Sequence, residues 1–245
     1  MEVGLLSILG LGFLMGIKHA IEPDHIIAVS TIASRSKNLW RSSLAGAFWG
    51  MGHTATLLIV GFFLFLFKSE ISDKWSMSLE FLVGIMLVVL GVSSFRTFKQ
   101  HIHAHDHSHG ESSHTHFHVI HDHSHSHHHH GETSEHGNKN GFSYMKSVLV
   151  GLVHGLAGSA AMALLTMSTV DSMWEGMLYI AIFGCGTILG MLLFTTAIGI
   201  PFVLTTRRFR LNRTMTWMTG ALSALYGVYY MYNLGVTEGL FGLWF

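Results

Sequence analysis

Hydrophobic residues are grouped along the chain into six long runs, instead of alternating at the period of a half-buried helix or strand. About 20 consecutive apolar residues are needed to cross about 30 Å of hydrocarbon as a helix. All six runs reach that length, so the pattern predicts an all-α, polytopic membrane protein with about six transmembrane helices. The runs are residues 3–33, 43–67, 79–98, 143–170, 174–204 and 214–234.

The composition supports a protein that hides its surface in a lipid bilayer. Only 11% of the residues are charged, whereas soluble domains have about 25%. The formal net charge is zero, so the chain lacks the basic surface that predicts nucleic-acid binding. Cys185 is the one cysteine, which excludes a disulfide framework and a cysteine redox pair.

Lysine and arginine are distributed very unequally between the two sides of the predicted membrane. If each run crosses once, eleven of the fourteen fall on one side, two on the other, and Lys18 lies within the first run. Positive residues are enriched in cytoplasmic loops. The bias therefore predicts a multi-pass protein of the cell membrane, with both termini outside and the loop at 99–142 in the cytoplasm.

The two halves of the chain share a short motif in the first run of each. Gly16 precedes His19 by three residues, and Gly151 precedes His154 by three residues. Three spans per half is an odd number, so the halves would have opposite orientations, as in many transporters. The sequence thus predicts two inverted three-helix repeats, at 1–98 and 143–245, with the first helix of each half broken.

The first run carries an unusual density of ionisable residues for a membrane segment. Lys18, His19, Glu22, Asp24 and His25 lie within eight positions. A charge at the bilayer centre costs on the order of 2.5–3.5 kcal/mol, so these groups must face protein, water or a cation. The proline at position 23 removes a helical hydrogen bond and predicts a break there, and unwound backbone at membrane depth is tolerated where it lines a site.

The ligand types in this segment favour a transition metal. Two imidazoles and a carboxylate, from His19, Asp24 and His25, suit divalent Ni, Co, Zn or Fe, whereas calcium or magnesium would require oxygens throughout. The competing interpretation is a structural polar knot in which Asp24 pairs with Lys18. Lys18 could also be a counter-ion of the empty site or extend outward. Glu22 could be a fourth ligand or a proton carrier.

Two further histidines lie in other apolar runs. His53 lies in the second apolar run, and His154 lies in the first apolar run of the second half. His53 is predicted to belong to the metal site, with a hydrogen bond to a neighbouring helix as the alternative. His154 is predicted either to line the site or to take part in helix packing. The glycines around His53 and those near position 186 are predicted to permit close contact between helices.

These motifs resemble the nickel/cobalt transporter family. His19-x4-Asp24-His25 matches the spacing of the family signature, and Gly52-His53-Thr54 is similar to the element on the following helix. The resemblance implies that His19, Asp24 and His25 are needed for transport, with His53 close by. It also implies that Ni²⁺ or Co²⁺ is the transported substrate, with no fixed cofactor and no enzymatic activity.

The second half departs from the classical members of that family. At 151–160 the chain lacks their acidic element and resembles the shorter, urease-cluster nickel permease branch. This branch implies a cytoplasmic metallochaperone or a urease-type nickel enzyme as the downstream partner. The choice between nickel and cobalt, and the ligands from the second half, stay open.

A histidine-rich segment separates the two halves. Sixteen of the twenty histidines lie between positions 101 and 136, and the composition predicts disorder in the absence of metal. Such tracts bind Ni, Zn, Co and Cu with little discrimination, so the loop is predicted to buffer or deliver cation as an accessory site. Its predicted ligands are His101, His103, His105, His107, His109, His114, His116, His118, His121, His123, His125, His127, His128, His129 and His130.

Three functions fit the pattern to different extents. Uptake of Ni²⁺ or Co²⁺ by a secondary transporter is favoured, because the chain carries no nucleotide-binding motif. Efflux of nickel, cobalt or zinc is the first alternative, since a cytoplasmic histidine-rich loop suits an exporter as well. An intramembrane enzyme with Ser159 as nucleophile and His154 as base is the second, but no acid lies nearby in sequence to orient the base. Ser159 otherwise counts as a candidate site-lining residue.

Overall fold

The computed structural model describes residues 2–67, 71–99, 102–109, 112–119, 144–158 and 172–244. Most of this part of the chain is helical, which confirms the all-α class. The helices are α1 (Glu2–His19), α2 (Pro23–Ala33), α3 (Leu39–Phe67), α4 (Asp73–Lys99), α5 (described over 144–158), α6 (Met173–Leu204), α7 (Phe209–Tyr232) and α8 (Leu240–Trp244), with a π-helical turn at Asn233–Thr237 before α8.

Three of the described helices are long and apolar enough to cross a membrane. They are α3, α4 over Asp73–Phe95, and α6, and α1 adds a shorter apolar stretch at Leu6–His19. The predicted runs 3–33 and 214–234 contain α1 with α2 and α7, which do not meet the same length and hydropathy. The run 143–170 is described only as far as residue 158. The membrane-spanning character is thus established, and the number six stays a prediction.

Part of the histidine-rich segment is paired as a β-hairpin, where the sequence predicted disorder. Strand β1 (Ile102–His109) runs antiparallel to β2 (Ser112–Val119), with Ile102 opposite Val119. Histidine alternates with other residues on both strands, and a period of two is the period of a strand. Residues 120–142, and with them the predicted ligands from His121 to His130, lie outside the described residues, as does His101.

Glycines bring helices of the two halves into backbone contact. A Cβ on Gly16 of α1 would overlap the carbonyl of Phe183 on α6, and a Cβ on Gly151 of α5 would overlap the carbonyl of Trp49 on α3. Small residues allow this close approach between membrane helices. The first helix of each half therefore packs tightly against the second helix of the other half.

Two further close contacts also pair a glycine of one half with a backbone carbonyl of the other half. Gly186 of α6 meets the Phe13 carbonyl of α1, and Gly52 of α3 meets the Val148 carbonyl of α5. The predicted role of the glycines in close packing is confirmed at these positions. Two repeats related by a twofold axis would produce such paired contacts, and the inverted repeat itself stays a prediction.

The buried core lies where α2, α3, α4 and α6 meet. Its fully buried side chains include Ala28, Trp49, Leu87 and Met191. α4 packs mainly against α7, where Ser223 donates a hydrogen bond to the Leu87 carbonyl at 2.8 Å. This core surrounds the break between α1 and α2, and it therefore orients the polar side chains that lie at that break.

Candidate metal centre

The break predicted in the first run is confirmed. α1 ends at His19 and α2 begins at Pro23, with the Glu22 backbone extended between them. The sequence suggested that the His19 carbonyl would be left open, but it accepts a hydrogen bond from the Glu22 N–H at 3.1 Å. A tighter turn therefore replaces the bond that Pro23 cannot donate. The break predicted for the first helix of the second half was expected in a region that lies outside the described residues, and it stays a prediction.

Four histidines from separate parts of the sequence converge at this break. His25 and His53 are fully buried, His154 is 2% exposed, and the side chain of His19 is 15% exposed. The Nε2 atoms of His19 and His53 are 3.2 Å apart, and the rings of His25 and His154 are centred 4.1 Å apart. Imidazoles from α1, α2, α3 and α5 therefore form one cluster, and both His53 and His154 line it.

Asp24 connects two of these imidazoles. Its Oδ1 lies 3.1 Å from the His25 Nδ1 and its Oδ2 lies 2.8 Å from the His154 Nε2. Oδ1 also accepts the His25 backbone N–H at 2.9 Å. Among the described residues no salt bridge joins Asp24 to Lys18, so the polar knot with that lysine does not form. The Asp24 carboxylate instead interacts with His25 and His154.

Several ring nitrogens in the cluster are buried without a hydrogen-bond partner among the described residues. They are the Nε2 of His25, the Nδ1 of His53 and the Nδ1 of His154. Buried polar atoms are normally paired, and leaving one unpaired costs about 1–3 kcal/mol. Donor atoms held without a partner, in a site of imidazoles and a carboxylate, are suited to a cation that binds temporarily.

The donor atoms form two overlapping sets with the spacing of a metal site. His19, His25 and His53 make one, and Asp24, His25 and His154 make the other; within each set the donor atoms lie within 4.8 Å of one another. A metal bound at about 2.0–2.1 Å by imidazole nitrogen requires donors about as close as the His19–His53 pair. The carboxylate offsets part of the cation's charge, which matters most in a low-dielectric interior.

A cavity of about 330 Å³ lies beside this cluster. His19, Glu22, Asp24 and His154 line it, and the Glu22 Oε2 lies 2.8 Å from the His19 Nδ1. Lys18 also lines the cavity. The predicted site-lining residues therefore surround one solvent-sized space, except Ser159, which lies outside the described residues.

Comparison with known proteins identifies the chain. Residues 5–228 match the family described as high-affinity nickel-transport proteins. The chain belongs to the nickel-transport protein family. Transport of nickel or cobalt across a membrane, in the direction of uptake, is the function that this membership supports, and the efflux alternative is not favoured. A transporter family also points away from an enzyme.

Individual relatives agree with this assignment. The chain is 57% identical to the urease accessory protein UreH of Bacillus sp. (strain TB-90), over 99% of this chain and 98% of that protein. It is 26% identical to the chloroplast proteins FOR GROWTH AND FERTILITY 2 and 1 of Arabidopsis thaliana, over 86% of this chain. The matches cover only 52% and 55% of those two proteins. No solved structure matches the chain.

In this nickel-transport family member, aromatic rings flank the histidines on two sides. Trp49 is fully buried and stacks on His25, with ring centroids 5.9 Å apart and planes at 10°. Phe183 lies 5.4 Å from the ring of His19 and lines the cavity described above. Trp49 and Phe183 are also the residues whose carbonyls meet Gly151 and Gly16.

A second cavity of about 480 Å³ lies toward the opposite end of α4. It is lined by Arg35, Lys37, Arg41 and Lys146, and the Arg35 side chain donates to the Leu90 carbonyl at 2.8 Å. Burial lowers the pKa of Arg35, but arginine stays charged at neutral pH. On α3, Trp49 follows one turn after Ala45, which lines this cavity, and precedes His53 by one turn.

Three contributors to the site were not identified from the sequence. Trp49 and Phe183 lie in apolar runs, where nothing distinguishes them from lipid-facing or packing aromatics. Glu80 also lines the cavity beside the cluster. A signal for Glu80 was present, because a lone carboxylate in an apolar span is a functional candidate by default.

Proposed function

We propose that Ni²⁺ or Co²⁺ binds transiently among His19, Asp24, His25, His53 and His154 during its passage through the membrane. The observation that supports this most directly is the convergence of four imidazoles and a carboxylate with buried, unpartnered ring nitrogens. Such a set suits a borderline divalent metal better than calcium or magnesium. The ion would replace hydrogen bonds that the side chains now make with one another.

Access to the cluster supports a secondary transporter with alternating openings. The cavity beside Glu22 is lined by His19, Asp24 and His154, whereas the residues that line the cavity beside Arg35 include none of the cluster. On α3, the buried Trp49 lies between Ala45 of that cavity and His53 of the cluster. Rocking of one half against the other would open the second route and close the first. The glycine contacts between the halves provide the surfaces on which that movement takes place.

The orientation that we propose places the cavity beside Arg35 in the cytoplasm of a cell-membrane protein. It follows the side that collects eleven of the fourteen lysines and arginines. Inward movement of a divalent cation would then gain about 4.6 kcal/mol per 100 mV, at about 2.3 kcal/mol per charge. Labelling of single cysteines placed at positions 2, 131 and 245, in a Cys185→Ser background, tests the orientation. Both termini outside and the loop inside is the expected pattern.

The metal that enters is proposed to serve a urease-type nickel enzyme. This partner is suggested by the name of the relative UreH, a urease accessory protein. The histidine-rich loop would collect the ion at the cytoplasmic side and pass it to a metallochaperone. In cells with urease and limiting nickel, loss of the transporter should lower urease activity, and added nickel should restore it. Activity independent of the transporter would contradict this partner.

Accumulation of radioactive nickel and cobalt in cells tests the metal site. Asp24→Asn and His25→Ala should reduce accumulation at least about 100-fold, because removing a ligand leaves the others incompletely coordinated. Ser223→Ala removes a buried polar group away from the cluster and serves as the matched control. Membrane levels of each variant are measured by immunoblot. Normal accumulation by well-expressed cluster variants would refute the site.

A further inference from the structure

Glu80 carries a carboxylate within a membrane-spanning helix, and the proposed metal cluster does not include this carboxylate. It lies on α4 and lines the same cavity as His19, Asp24 and His154. At 1.5 Å per residue it is about 15 Å along α4 from Leu90, which lines the basic cavity. Glu80 therefore belongs to the route into the cluster and lies on the side away from the arginines.

Tyr230 of α7 holds this carboxylate in place. Its hydroxyl donates to the Glu80 Oε2 at 3.1 Å, and its ring stacks on Tyr226 with planes at 9°. Glu80 is therefore held between its own helix α4 and the Tyr230 hydroxyl of α7, and its position in the cavity is defined.

The charges around the cavity favour a cation before it reaches the imidazoles. Glu22, Asp24 and Glu80 contribute three carboxylates, against the single ammonium of Lys18. His154, 2% exposed, lines the same space and has one ring nitrogen without a partner among the described residues. A divalent ion arrives with bound water, which carboxylates can hold through hydrogen bonds, whereas imidazoles bind the metal itself.

We propose that Glu80, positioned by Tyr230, is the first binding station for the hydrated divalent cation, ahead of the histidine cluster. This inference rests on the proposed function and extends it to a residue that resembles no part of the family signature. The ion is held there by charge and water-mediated contacts, and it loses water as the histidines replace that shell. Capture at Glu80 is therefore expected to discriminate weakly between metals.

The concentration dependence of radioactive nickel uptake tests the station. Glu80→Gln should raise KM about tenfold with a maximal rate within about twofold of wild type, because it removes binding without altering the later step. Tyr230→Phe should raise KM about threefold, since the charge remains but its support is lost. Glu175→Gln, a carboxylate on α6 outside the cavity, should leave both parameters unchanged. Excess Mg²⁺ should inhibit the wild type more than Glu80→Gln.

The outcomes separate this station from the metal site. An unchanged KM in Glu80→Gln, with transport abolished by Asp24→Asn, would overturn the station and leave the site intact. A lower maximal rate at unchanged KM would also overturn it, because Glu80 would then act after capture or only in joining α4 to α7. Transport unaffected by Asp24→Asn would refute the proposed function whatever Glu80→Gln does. Glu80→Asp, which keeps the charge, should recover part of the KM.

Discussion

The two halves of the chain use the same contacts between helices but different chemistry. Gly16 and Gly151 each meet a backbone carbonyl of the opposite half. The first half supplies His19, Asp24, His25 and His53 to the cluster, whereas the described second half supplies His154. These glycine contacts are thus alike in the two halves, whereas the residues of the cluster are not. A transporter can keep two equivalent packing surfaces for movement while concentrating coordination in one half.

The largest effect is expected from truncating Trp49 and Phe183, the two aromatic side chains that flank the histidine cluster. Trp49→Ala should destabilise the protein by about 3–5 kcal/mol, the usual cost of deleting a large buried ring, because Trp49 is fully buried on His25. Phe183→Ala should cost less, because the ring of Phe183, although only 2% exposed, is smaller and borders the cavity beside the cluster. Thermal unfolding of the two variants in detergent measures the difference, and Trp49→Phe is the conservative control. Equal losses would show that the two sides of the cluster are equally closed.

The counterpart histidines His19 and His154 provide the next comparison. His19→Ala should weaken nickel binding by about 100-fold and His154→Ala by about 10-fold, because Asp24 keeps His25 when His154 is lost. Calorimetric titration of purified protein with Ni²⁺ gives both dissociation constants. His105→Ala, on the loop, is the control for non-specific binding. If the two losses were equal, the second half would contribute to coordination as much as the first.

Glycine substitutions test whether the shared contacts carry stability in both halves. Gly16→Ala and Gly151→Ala should each cost about 1–3 kcal/mol, because the added methyl meets a backbone carbonyl that cannot rotate away. Gly10→Ala is the matched control on α1, since a Cβ there meets nothing within 4 Å. Melting temperatures compare the three variants. A stable Gly151→Ala protein would mean that the packing of the halves is less alike than the contacts indicate.

The smallest effect is expected from the loop between the halves. Deleting residues 101–136 should leave the initial rate of nickel uptake within about twofold of wild type, because His-rich tracts bind metal but are not needed for a path through the helices. Nickel retained after washing should fall. A deletion variant that is present in the membrane but does not transport would show that the loop takes part in passage.

Much of the fold was predictable because lipid imposes simple rules on sequence. Apolar length identified α3, α4 and α6, and the proline at position 23 located the break after α1. The cluster residues of the first half were also predictable, since ionisable groups in a membrane span are costly. The contact between His154 and Asp24 could not be predicted, because it depends on how the two halves pack against each other. The hairpin of the loop was missed because composition dominated its interpretation.

His25 belongs to both sets of donor atoms. An ion that moved between the set containing His154 and the set containing His53 could therefore remain attached to the His25 ring while it exchanged its other partners. At every step of that transfer the divalent ion would keep at least one ligand in the low-dielectric interior. Continuity of attachment, more than tightness at any one position, would keep the passage both selective and quick.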